Sequence, residues 1–263
     1  MHATSTPPAD SARAALPPLP ELLDPQRCAF FFDVDGTLID IAIHPDAVTV
    51  PKALLEDLRT LDRETGGALA LVSGRSIASL DSLFSPLRLS ASGVHGSQVR
   101  LSSDAEIESH SPELSEPLRA ALAELGRKLD GVLVEDKGTS VAMHYRMNPS
   151  IGPRLQALLT AFVEHAGGGL GLLPGRLVFE LKHRSHDKGS AVRQFMASSA
   201  FAGRRPVFIG DDVTDEAAFA VIAQMGGIVI SVGRDLPVAD VVLPEAADVR
   251  ALLSTLAANT RRD

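Results

Sequence analysis

Two carboxylates, Asp33 and Asp35, stand two residues apart in the run Phe32-Asp33-Val34-Asp35-Gly36-Thr37. An extended chain turns residues two apart to the same side. Packed closely, the pair repels, and one pKa must rise unless a cation compensates. A hard divalent ion with oxygen ligands does this, and octahedral magnesium is the usual partner of phosphates. One carboxylate could then attack phosphorus, while the other protonates the leaving oxygen and later activates water. A calcium loop is excluded on detail. That loop wants Gly at its sixth position and Glu at its twelfth, where this chain has Leu38 and His44. The bland alternative is a strand end carrying two solvated aspartates.

Three further segments could complete such a site. In Ser73-Gly74-Arg75, a hydroxyl and the backbone N–H groups of a helix start can hold phosphate oxygens. The same residues also suit a plain Ser cap and Gly turn. Lys188, in Asp187-Lys188-Gly189, opens a predicted helix, where a cation opposes the dipole unless an anion partners it. Gly210-Asp211-Asp212-Val213-Thr214-Asp215-Glu216 offers the third carboxylate that a magnesium site beside Asp33 and Asp35 lacks. Taken singly, the last two read equally well as a surface lysine and a solvated acidic loop.

The elements that must position these residues follow from apolar patterning. Cys28–Phe32 is a short continuous apolar run, suited to a parallel strand buried on both faces. Pro51 opens a helix with Leu54, Leu55, Leu58 and Leu61 on one stripe, and Gly66-Gly67 ends it. Ala68–Val72 is a second buried strand. The same grammar returns late in the chain. Asp187 caps a helix, Val207–Ile209 is a strand, Thr214 starts another helix, and Ile228–Ile230 and Val241–Leu243 are strands. In an open parallel sheet, ligands bind outside the carboxyl ends of the strands, so all four segments converge on one place.

Between these halves the rhythm changes. Pro112 starts a helical pattern with Leu114, Leu118, Leu122 and Leu125, and a second helix follows Pro149. Alternating strands precede and follow that second helix, with a hairpin over Leu170–Leu181. The expected organisation is a disordered tail at residues 1–24, an α/β core at 25–97 and 183–263, and an inserted α+β cap at 98–182.

The four chemical segments, in this order, closely resemble the motifs of the haloacid dehalogenase (HAD) superfamily of phosphatases. The resemblance implies a Rossmann-like parallel-sheet core, with Asp33 as nucleophile and Asp35 as acid and base. It implies Ser73, flanked by Gly74 and Arg75, as the phosphate-binding hydroxyl, with Lys188 as the lysine of the catalytic set. Mg2+ would be held by the Asp33 carboxylate, the Asp35 backbone carbonyl and Asp211, with Asp212 and Asp215 farther out or as alternates.

Cap residues bear on the substrate. In Val178-Phe179-Glu180-Leu181-Lys182, period two separates Val178, Glu180 and Lys182 from Phe179 and Leu181. Glu135 and Lys137 likewise share a face, as do Ala142, His144 and Arg146. Carboxylates that accept from sugar hydroxyls, beside Lys or Arg that donate, suit a polyhydroxylated ligand. The strings Gly93-Val94-His95-Gly96, Val134-Glu135-Asp136-Lys137-Gly138, Ala142-Met143-His144-Tyr145-Arg146 and Gly210–Glu216 are similar to those of trehalose-6-phosphate phosphatases. That similarity implies trehalose 6-phosphate as substrate, with Glu135, Lys137 and Glu180 on the glucose rings, and Arg146 or His95 assisting. It also implies a trehalose-phosphate synthase as pathway partner. The hinge departs from many relatives, since Glu180-Leu181-Lys182-His183 leads to Asp187 without their linker proline. The competing readings are a phosphatase for sucrose 6-phosphate or mannosyl-3-phosphoglycerate, and an inactive sugar-phosphate-binding regulatory subunit. A phospho-receiver domain needs only about 120 residues and no cap.

Bulk properties narrow the partners further. The chain has 263 residues and a formal net charge of −8, which argues against nucleic acid. No apolar run approaches the roughly 20 residues of a membrane span, and the first residues do not resemble a secretory signal. Cys28 is the lone cysteine, which excludes a disulfide framework and fits a reducing, cytoplasmic setting.

Overall fold

The computed structural model describes residues 19–41, 49–175 and 177–259. Its first element, α1 (Leu19–Leu22), precedes β1 (Cys28–Phe32), α2 (Lys52–Glu64), β2 (Leu69–Val72), α3 (Ile77–Leu83) and β3 (Ser90–Gly93). Strands β4 (Gln98–Arg100) and β5 (Glu108–Ser109) come next, then α4 (Glu116–Arg127), β6 (Leu133–Asp136), β7 (Ser140–His144) and α5 (Gly152–Ala166). A hairpin of β8 (Leu170–Gly175) and β9 (Val178–His183) leads to α6 (Lys188–Met196) and β10 (Arg205–Gly210). The last described elements are α7 (Glu216–Gln224), β11 (Ile228–Val232), β12 (Val241–Leu243) and α8 (Ala246–Asn259).

Two sheets result. The larger has the order β12-β11-β10-β1-β2-β3-β4-β5, parallel from β12 to β3 and antiparallel beyond. The smaller, β6-β7-β9-β8, is antiparallel throughout. Central strands of the larger sheet are buried on both faces, which is why they read as continuous apolar runs. Phe30, Phe32, Leu71 and Ile209 join α2 and α8 residues in one cluster, whereas Phe31, Ala70 and Phe208 join Val192, Phe195 and Phe219 in the other. On the smaller sheet, Val141, Met143, Phe179 and Leu181 pack against Leu122 of α4 and Leu155 and Leu159 of α5.

Several boundaries differ from the sequence reading. Residues 98–109 add two antiparallel strands to the larger sheet instead of opening the insertion. Short strands beyond β3 carry too few residues for alternation to reveal which sheet they join. Leu19–Leu22 is helical, and Leu23 is fully buried, so the ordered chain begins before residue 25. Residues 1–18 of the expected tail lie outside the described residues. Leu114 precedes α4, which starts at Glu116 with Pro117 in its first turn, where the missing N–H costs nothing. Thr214 lies within a single 3₁₀ turn, Val213–Asp215, that precedes α7; Asp212 caps it, its Oδ1 accepting from the Val213 N–H at 2.8 Å.

Candidate active site

The carboxyl ends of β1, β2 and β10, with the starts of α3 and α6, frame a cleft roofed by the polar face of the smaller sheet. Thirteen of the residues singled out from the sequence line it, namely Asp33, Asp35, Ser73, Gly74, Arg75, His95, Glu135, Lys137, Arg146, Glu180, Lys188, Asp211 and Asp212, whereas Asp215 and Lys182 do not. Ile41, His144, Val178 and Thr214 also line it.

At its floor, the Lys188 ammonium is 2 % exposed and donates to Asp33 Oδ1 and Asp215 Oδ1, each at 2.7 Å. The Asp187 carboxylate caps α6 through the Ser190 N–H and so offsets the unfavourable start of a helix on a cation. Carboxylate oxygens of Asp33, Asp211 and Asp215 lie within 4.8 Å of one another. Three carboxylates against one ammonium leave two negative charges in a buried place. Burial, with Asp215 and Asp211 beside it, therefore pushes Asp33 well above the ordinary carboxylate range despite Lys188. Burial and Asp215 likewise raise Asp211 to about 6. Burial opposes the Lys188 charge, but Asp215 and Asp33 outweigh it and raise its pKa.

Asp35 and Asp212 do not join that cluster with their side chains. Arg75 grips the Asp35 carboxylate with both ends, Nε to Oδ2 at 2.7 Å and Nη2 to Oδ1 at 2.6 Å. Asp212 spends one oxygen on its cap, and a side chain on Gly175 of the β8–β9 hairpin would meet the other. Asp215, an alternate on the sequence reading, is instead fully buried at the centre. Its companion Thr37, missed from sequence, donates to Asp211 Oδ1 at 3.1 Å. A Thr four residues beyond a strand-end Asp carries no signal until the turn folds back. Gly36 makes that turn possible: its φ is +90°, and a Cβ there would sit 2.1 Å from Asp211 Oδ2.

On the roof, Glu135 pairs across strands with Ala142, and Ala142 with Glu180, which puts one row of side chains over the cleft. Glu180 Oε2 receives the Lys137 ammonium at 3.1 Å and lies 3.1 Å from His95 Nε2. Burial opposes the Glu180 charge, yet Lys137 and His95 hold its carboxyl well below the usual range. Glu135 Oε2 lies 3.0 Å from His144 Nε2, a partner that sequence placed on this face without a role. The cleft thus joins a negatively charged floor and the polar Ser73-Gly74-Arg75 loop to a roof of alternating acids and bases.

Residues 31–238 match the family model described as trehalose-phosphatase. This chain belongs to the trehalose-phosphatase family. It is 39% identical over 237 residues to a probable trehalose-phosphate phosphatase of Sinorhizobium fredii, covering 89% of each chain. It is 38% identical over 208 residues to the trehalose-6-phosphate phosphatase of Escherichia coli, covering 79% of this chain and 78% of that one. The fold matches the C-terminal domain of the C. albicans trehalose-6-phosphate phosphatase with a TM-score of 0.79, at 22% identity, covering 89% and 92% of the two chains. The chain is therefore a trehalose-phosphatase family enzyme on a HAD-like α/β fold, as its motifs implied. Among the described residues no helix is long and apolar enough to cross a membrane.

Proposed function

We propose that this enzyme hydrolyses trehalose 6-phosphate to trehalose and phosphate through a phosphorylated Asp33. The observation that carries the reading is the single cleft that joins the Lys188-bound Asp33 to the polar roof of the cap sheet. Asp33 attacks phosphorus, and the 6-oxygen of the sugar leaves with a proton from Asp35. Asp35 then takes a proton from water, which cleaves the aspartyl phosphate. Turning Asp35 toward the leaving oxygen requires its pair with Arg75 to open, and the Arg75 guanidinium can then turn to phosphate oxygens. Ser73 and the loop amides hold those oxygens, and Lys188 offsets their charge. The segment between the core strands acts as the specificity cap, with Glu135, Lys137, Arg146 and Glu180 reading hydroxyls. A cytoplasmic setting, with a trehalose-phosphate synthase supplying the substrate, completes the reading.

The residues fit a divalent cation, because two negative charges remain uncompensated among Asp33, Asp211 and Asp215. Magnesium held by Asp33, Asp211 and the Asp35 carbonyl would offset charge on the phosphoryl oxygens. Folded-state pKa values of Asp33 and Asp211 lie above the ordinary 3.8. Metal-free, Asp211 thus stabilises the fold less as pH rises from about 4 toward about 6, and Asp33 acts in the same direction. Magnesium binds the ionised forms, so it should raise the melting temperature little near pH 5 and clearly near pH 7.5. Equal increments at both pH values would remove these carboxylates from the metal site.

Released phosphate from a substrate panel tests the sugar. Trehalose 6-phosphate should exceed glucose 6-phosphate, sucrose 6-phosphate and mannosyl-3-phosphoglycerate in kcat/KM by roughly 100-fold or more, within the roughly 10⁴–10⁵ that a pocket built to hydrogen-bond its substrate can reach. Equal rates across the panel would overturn the assignment to trehalose, and turnover of none would favour the regulatory reading.

A further inference from the structure

We propose that Lys137, braced by Glu180 and His95, is a positioning residue through which the closed cap sets the geometry of the phosphate loop Ser73-Gly74-Arg75, whatever sugar is present. This rests on the phosphatase reading of Asp33 and Ser73 and not on the identity of the sugar. All three carbonyls of that loop are tied back. Ser73 O accepts from the His95 N–H at 3.1 Å, and Arg75 O from the Val94 N–H at 2.9 Å. Between them, Gly74 O accepts from Lys137 Nζ at 2.8 Å, and Lys137 alone of the three donors comes from the cap.

Peptide planarity converts this into aim. Holding the Gly74 carbonyl turns the N–H of Arg75 to the opposite side. There it donates to Ser73 Oγ at 3.1 Å, which sets the hydroxyl over the cleft. The two core donors are held at some cost. Val94 and His95 both have positive φ, 48° and 50°, a region that side-chain-bearing residues avoid. Such strain persists where the surrounding structure over-determines it. Here that strained turn also carries the His95 ring onto Gly74, where a Cβ would lie 2.5 Å from Nε2, and onto Glu180 Oε2. Glu180 Oε2 thus holds the cap lysine and the core histidine at once, with side chains of Lys137 and Glu180 only 8% and 5% exposed. The Ser140 hydroxyl acts on the same buried carboxylate.

The test uses 4-nitrophenyl phosphate, which has no sugar to contact. Lys137→Met should lower kcat for it by roughly 10- to 100-fold, the rate equivalent of one charge-assisted hydrogen bond, with KM changed far less. Glu180→Gln, which keeps the size and loses the charge, should lower kcat in the same direction by a smaller factor. If Lys137 only reads sugar, both variants keep wild-type kcat on the aryl phosphate and lose kcat/KM on trehalose 6-phosphate alone, which overturns the proposal. Amide hydrogen exchange gives a readout independent of turnover. The Gly74 and Arg75 amides should exchange faster in Lys137→Met than in the wild-type chain, while β1 and β10 stay protected. Unchanged exchange at those two amides would equally overturn it, and a wild-type chain inert toward every phosphate ester would instead sink the reading of Asp33.

Discussion

Asp33→Asn should abolish phosphate release, lowering kcat by at least ~10⁴-fold, because the group lost forms the covalent bond to phosphorus. The fold should survive the change. Asparagine keeps an oxygen that can accept from Lys188, and the substitution removes one of three carboxylates crowded at the floor. Its melting temperature should therefore equal or exceed that of the parent in the absence of metal. Sugar binding, measured calorimetrically with trehalose, should be retained, since the roof residues are untouched. Substantial residual turnover would sink the nucleophile assignment. A large fall in melting temperature would show instead that the Asp33 charge, and not only its acceptor oxygen, holds Lys188 in place.

Lys188→Met should damage both stability and turnover. The ammonium is the one cation in contact with Asp33 and Asp215 among the described residues. Removing one partner of a buried ionic set leaves uncompensated charge and costs about 3–5 kcal/mol, to be read from urea denaturation in the presence of a chelator. The raised Lys188 pKa gives the sign: its stabilisation is full below the ordinary 10.5 and fades only above that. The penalty should therefore persist at neutral pH. Adding Asp215→Asn should recover part of the loss, because the two side chains act on one another. Turnover should remain at least ~10³-fold down in the double variant, since the neutralising charge on the phosphoryl group is gone. Full recovery of activity would make Lys188 a structural counter-ion only.

How far the sequence reached depended on how local each signal was. The apolar runs Cys28–Phe32 and Val207–Ile209 declared buried parallel strands, because burial on both faces leaves no polar position to confuse the period. The polar face of β9 was equally legible, since alternation sends Phe179 and Leu181 one way and Glu180 the other. Motif spacing then brought thirteen chosen residues to one cleft. What stayed hidden was pairing across the chain. No local pattern reports that Arg75 would take both oxygens of Asp35, that Asp215 would displace Asp212 from the acidic cluster, or that Thr37 would reach Asp211. These partners lie 40 or 174 residues apart, or differ by a single turn of backbone that decides which of several acids faces inward.

The kinds of groups at the strand ends, and the order in which the chain delivers them, are written in the residues themselves. Which oxygen meets which nitrogen is settled by packing. Composition and period fix burial and direction, whereas charge pairing depends on distances of a few ångströms set by packed elements. Lys137 shows the division most clearly: its place on the roof follows from alternation, but its hold on the Gly74 carbonyl exists only once cap and core are packed together.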